Sequence, residues 1–132
     1  MDIKLKLSQG LGKTLLIWSI SSIIVGLILL TYFTPIIQGI GFQAILWGII
    51  DAVVAALTLF KKDNQSIGKM TRILGINVGL DIIYQLIGLF LLLFMWQDAF
   101  IVGNGIGVII QGAFLFVLDL YYYHQFKQLT IE

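Results

Sequence analysis

GFQAILWGIIDAVVAALTLF, residues 41–60, holds one ionisable group, Asp51, near its middle, and is followed directly by Lys61 and Lys62. As a helix rising 1.5 Å per residue, the stretch reaches roughly 30 Å, the thickness of a bilayer's hydrocarbon core. A soluble helix of that length carries a polar stripe along one face. This one carries a single carboxylate among apolar side chains, so the reading is a membrane span.

Three more apolar runs flank it. Residues 14–33 end at Thr34-Pro35, residues 73–96 follow the polar linker KKDNQSIGKMTR at 61–72, and residues 106–123 close shortly before Lys127. The predicted fold class is all-α, a four-helix transmembrane bundle forming a single membrane domain over residues 1–132. Pro35 is expected to stop the first helix, with 36–40 as a short loop. Gly103-Asn104-Gly105 is expected to form the turn into the fourth helix, beside a solvated Asp98. No cleavage of the first run is expected, because it is too long for a signal core and TYFTP has no small-residue site.

Composition agrees. Hydrophobic residues make up 59% of the 132-residue chain and charged residues 11%, with a mean hydropathy of +1.00, where soluble domains are roughly 45–50% apolar. With no cysteine, disulfides, thiolate metal sites and cysteine catalysis are excluded. The single histidine, His124, stands beside Tyr121, Tyr122 and Tyr123 and reads as an interfacial residue. No metal or other cofactor is implied, and no enzyme activity is expected. No basic arm points to nucleic acid. The cations Lys4, Lys6 and Lys13, then Lys61, Lys62, Lys69 and Arg72, then Lys127 all fall on one side if the spans alternate. The positive-inside rule then places both termini and the 61–72 loop in the cytoplasm, with the bilayer of the cell membrane as the chain's surroundings.

Two later spans repeat the buried carboxylate, with Asp81 and Asp119. Counted from the nearest cations, all three aspartates lie roughly 12–15 Å from the cytoplasmic boundary. At 100° per residue, Asn77, Asp81, Tyr84 and Gln85 share a stripe on the third helix, with Gly75 and Gly79 nearly opposite as a small-residue packing face that gives this helix neighbours on both sides. Gly48 and Asp51 share an arc on the second helix, Gln111 and Asp119 cluster on the fourth, and Ser22 reaches the same level on the first. The expected site is therefore Asp51, Asp81 and Asp119, supported by Ser22, Gln43, Asn77, Tyr84, Gln85 and Gln111, with Gly48, Gly75 and Gly79 as packing positions.

An internal repeat accompanies this layer. Gln43 precedes Asp51 by the same interval as Gln111 precedes Asp119, and a Gly-Ile-Gly lies ahead of each pair, at 39–41 and 105–107. Spans one-two and three-four read as two tandem hairpins entering from the same side, as in parallel-repeat transporters.

Where WGIIDAVVAAL, RILGINVGLDIIYQLIGLFLLL and GIGVIIQGAFLFVLDLYYY stand together, the chain resembles a set of small bacterial four-span integral membrane proteins of unknown function. The resemblance implies a membrane location and matches Trp47, Gly48, Asp51, Asn77, Asp81, Tyr84, Gln111 and Asp119. It brings no activity with it.

An unpaired ionised aspartate at the centre of a span costs roughly 2.5–3.5 kcal/mol. No Lys or Arg of the sequence lies at that depth, so the carboxylates must be protonated, hydrogen-bonded, bound to a cation or open to water. Two readings stay open: a shared proton or cation site serving transport of a small solute, or neutral hydrogen-bonding groups in a structural or accessory protein. A homodimer through Gly75 and Gly79 is also expected.

Overall fold

The computed structural model describes residues 3–32, 34–60 and 67–131. Among them are four α-helices and no strand: α1 (Ile3–Leu30), α2 (Pro35–Phe60), α3 (Ile67–Phe94) and α4 (Ala99–Ile131). α1 packs along α2, α3 along α4, and α2 along α4, so two hairpins meet through their second helices. The expected all-helical architecture of two hairpins is what the chain adopts.

The helices are longer than the apolar runs. At 28, 26, 28 and 33 residues, they reach roughly 40–50 Å, past the hydrocarbon thickness of a bilayer. All four are long and apolar enough to cross a membrane. Their extensions are packed. Ser8 and Leu11 of α1 are buried ahead of residue 14, and Phe126 of α4, beyond residue 123, is fully buried.

Several expected boundaries move. Pro35 starts α2 rather than stopping α1, and 36–40 is helix, not loop. Proline suits a first helical position because the amide it lacks would have no partner there, and Thr34 accepts the first bond of the new helix, from Gln38 N at 3.0 Å. Asp98 is exposed, as expected, and it also caps a helix. Its Oδ1 accepts from the amides of Phe100 and Ile101 at 3.0 and 3.2 Å, which ends the reversal between α3 and α4 and starts α4 at Ala99. Gly103-Asn104-Gly105 therefore lies inside α4, not in a turn. α3 begins at Ile67, so Lys69 and Arg72 are helical, while the remainder of the expected central loop, 61–66, lies outside the described residues.

The glycines are where backbones meet. A Cβ on Gly41 would sit 2.9 Å from the Gly26 carbonyl, and one on Gly105 would sit 3.0 Å from the Gly88 carbonyl. Between the hairpins, Gly39 lies against the Phe100 carbonyl and Gly103 against the Ile36 carbonyl. These are the same contact with the two hairpins exchanged. The two-fold relation is thus built into the packing, but its register differs from the one the Gln/Asp spacing gives. Gly48, which meets Ser19 and Ile23, answers to Gly112, which meets Tyr84 and Gln85. In that register Asp119 answers to Ala55, one helical turn beyond Asp51, and Asp81 answers to Ser19.

The polarity of the bundle runs inward. Ser8, Ser19, Ser22, Asp51, Asp81, Gln111 and Asp119 are buried, while Ile17, Leu57, Leu86, Leu93 and many other large apolar side chains are exposed. A water-soluble monomer does not leave so much contiguous apolar surface bare, whereas lipid tails solvate such a surface without cost.

Candidate functional site

The three aspartates come together at the centre of the bundle. Asp51 on α2 is 4% exposed, Asp81 on α3 is 2% exposed and Asp119 on α4 is 9% exposed. The pairing of α3 with α4 brings the Asp81 and Asp119 carboxyls within hydrogen-bonding reach of each other, with Asp51 near enough to feel both charges. Helical side chains lean toward their own amino terminus, so on antiparallel α3 and α4 the two carboxyls lean toward each other.

Among the described residues, neither Asp51 Oδ2 nor Asp81 Oδ2 is reached by a hydrogen-bond donor. A carboxylate only accepts, so Asp81 and Asp119 bond to each other only when a proton lies between them. Two bare carboxylates at that distance would repel in a medium that screens weakly. A proton between the two, or a cation beside them, relieves that repulsion.

The supporting polar residues go elsewhere. Gln43 Nε2 donates to Asn104 Oδ1 at 2.7 Å, and the Trp47 indole donates to Gln43 Oε1 at 3.0 Å. Gln111 accepts from the Trp18 indole at 2.9 Å and donates to Ser22 Oγ at 3.4 Å. Gln85 Nε2 donates to the Ile109 carbonyl at 2.9 Å, and Tyr84 stands edge-on to Trp47 with ring centroids 4.9 Å apart. Ser22, Gln43, Tyr84, Gln85 and Gln111 thus form a belt that ties the helices together on the far side of the aspartates from the α1 amino terminus. Buried polar groups that satisfy one another in this way fix helix positions. Asn77 is the exception, since it borders a cleft that also reaches Asp119.

That cleft has a volume of about 390 Å³ and opens among α1, α2 and α3, toward the end of the bundle where α1 and α3 begin. Ser8, Leu15, Thr58, Met70, Asn77 and Asp119 are among its walls. Ser8 is only 5% exposed, and its hydroxyl oxygen has no partner among the described residues. Sequence reasoning missed Ser8 because the first span was started at residue 14. The signal was present, since the buried stripe Gly26, Ser22, Ser19, Leu15 continues back through Leu11 to Ser8 at helical spacing. Toward the opposite end, α2 and α4 meet backbone to backbone at Gly39 and Gly103, and a second, more apolar cleft of about 290 Å³ opens among α1, α2 and α4, with Ser22, Val25, Leu29, Ile40 and Gly107 in its walls.

Packing positions divide as well. Gly48 is pressed between helices, where a Cβ would lie 2.6 Å from Ile23 Cγ1. Gly75 lies against the Tyr123 ring, while a Cβ on Gly79 would meet nothing within 4 Å. Within one chain, then, Gly79 is not a packing position, and α3 has α4 on one side and an open face on the other, where neighbours on both sides were expected. His124 is exposed at the end of α4. Among the described residues, no three His, Asp or Glu side chains converge closely enough to hold a metal ion.

Fold and site together define a class: a small apolar four-helix bundle with a donor-poor cluster of carboxyl groups buried at its centre. Residues 14–120 match the model of DUF6992, a family of unknown function, and the chain belongs to that family. All three aspartates fall within the matched stretch. No curated protein and no solved structure matches the chain.

Proposed function

We propose that the chain is a multi-pass membrane protein, not an enzyme, in which Asp81 and Asp119 share a proton, Asp51 modulates it, and the cluster serves ion-linked transport of a small solute. The observation that supports this reading most is the lack of donors. A carboxyl used only to glue helices is expected to bond to an amide, hydroxyl or indole, yet the amides and indoles of Gln43, Gln85, Gln111, Trp18 and Trp47 are engaged away from the cluster. They bond to one another, to Asn104 and Ser22, or, for Gln85, to the Ile109 carbonyl. A proton, rather than a metal ion, is favoured as the coupling species because the three carboxyls do not converge on one point. The orientation proposed is cytoplasmic termini in the cell membrane, on the distribution of Lys and Arg.

The second reading, a structural or accessory role, is favoured by the tight belt of tryptophan and glutamine bonds, which would hold the helices whether or not anything is moved. Flux separates the two. In vesicles with an entrapped pH dye and an imposed potential, the wild-type protein is expected to admit protons, and Asp81→Asn or Asp119→Asn to fall to the rate of empty vesicles while remaining folded. Wild-type flux equal to that of empty vesicles, with Asp→Asn variants lowering only thermal stability, would support the structural role.

A further inference from the structure

The cleft beside Asp119 has properties that the proton pair does not use. Its volume of about 390 Å³ lies within the roughly 300–1,000 Å³ range of small-ligand sites, which are mostly apolar with a few polar groups. Leu11, Leu15, Val54, Leu57 and Leu74 supply an apolar wall, and Ser8, Thr58, Asn77 and Asp119 supply the polar points. No Lys or Arg lines it among the described residues, so an anion entering would meet a carboxyl with nothing to neutralise it. Ser8 adds an independent sign. Its hydroxyl is buried beside the cleft without a partner among the described residues, and a buried hydroxyl left unpaired is costly, a cost that a bound donor lowers.

We propose that this cleft binds a small amphipathic organic cation, an ammonium on an apolar body, in exchange for the proton held between Asp81 and Asp119. The body lies along the leucine wall, and the ammonium donates to Asp119 and to Ser8 Oγ. The exchange balances: one cation enters, the proton on the Asp81–Asp119 pair leaves to solvent, and the charge of the cluster plus its occupant is unchanged. The ionisable groups facing Asp119 are Asp81 from α3 and Asp51 from α2, while α1 contributes only uncharged residues, Ser8, Leu11 and Leu15, to the wall. The inference rests on the shared-proton reading and names the solute for it.

The probe is phenylbutylammonium, titrated calorimetrically into the full-length protein in lipid nanodiscs, with empty discs subtracted and the uncharged phenylbutanol as control. Expected are saturable binding of the ammonium, at least tenfold weaker binding of the alcohol, and release of about one proton per cation, read by repeating the titration in buffers of different ionisation enthalpy. Asp119→Asn is expected to weaken ammonium binding at least tenfold. Should that variant fail to fold, Val54→Trp, at a half-exposed wall position, leaves every carboxyl in place and is expected to abolish binding by filling the cleft. Equal binding of alcohol and ammonium would make the cleft a groove for acyl chains and overturn the proposal, as would ammonium binding that survives Val54→Trp. If the protonated-carboxyl signal of the aspartate pair is present but no ammonium binds, the solute assignment fails and the shared proton stands; if that signal is absent, the shared proton itself fails.

Discussion

Asp51 separates function from stability more sharply than its two partners do. It is buried, and its Oδ2 receives no donor among the described residues, so at that oxygen a mutation removes no hydrogen bond. Replacing an unsatisfied buried polar group with an apolar one of similar size is neutral or stabilising, by about 1 kcal/mol. Asp51→Leu is therefore expected to unfold at the same temperature as wild type or a higher one, while proton flux drops. A loss of stability of several kcal/mol in a thermal melt would show that Asp51 bonds a group that holds the fold. The three aspartates were legible in the sequence because each breaks a long apolar run. Their partners were not. Gln43 stands two helical turns from Asp51 and Gln111 two turns from Asp119, so each shares its face but lies roughly 12 Å away along the axis. A helical wheel reports facing and hides that distance.

At the scale of helices, the glycines decide how closely the elements approach. Gly103 lies against the Ile36 carbonyl, and Gly39 against the Phe100 carbonyl, so a methyl at either site meets backbone that cannot rotate away. Gly103→Ala is expected to cost roughly 1–3 kcal/mol in unfolding, the scale of overpacked cores. Gly79→Ala is expected to gain about 0.5–1 kcal/mol, since alanine favours helix and nothing lies near its Cβ. Should Gly79→Ala instead lower stability and break a dimer seen on sizing in detergent, the open face of α3 is where two copies meet. The reading of Gly-Asn-Gly as a turn failed for a physical reason. In water such a string marks a reversal, but in an apolar helix small residues mark the places where backbones touch. The same contacts explain why the Gln/Asp spacing misplaced the repeat by one turn, since glycine packing sets the register and polar residues are free to drift along it.

Taken whole, the molecule carries a polar cleft toward the end bearing the termini and a more apolar one in the opposite half, with the carboxyl cluster between. Cysteines introduced at Thr58 and Asn77, on the polar cleft wall, are expected to react with a polar thiol reagent applied from the side bearing the termini, and a cysteine at Gln43, beyond the carboxyl cluster, to stay unreactive from that side. Reaction at position 43 from the side bearing the termini would show a continuous pore instead. The four-helix plan and the hairpin pairing were legible because hydrophobic run length and loop charge are whole-chain signals. The clefts were not, because they depend on where backbones meet and where they part.

The central claim is that Asp81 and Asp119 hold one proton between them, and infrared spectroscopy of the carboxyl C=O stretch in lipid tests it most directly. Wild-type protein is expected to show a protonated-carboxyl band at neutral pH that shifts on deuteration and disappears in both Asp81→Asn and Asp119→Asn, because either change replaces the shared proton with an amide donor. A wild-type spectrum with ionised carboxylates alone, or a band untouched by both substitutions, would contradict it.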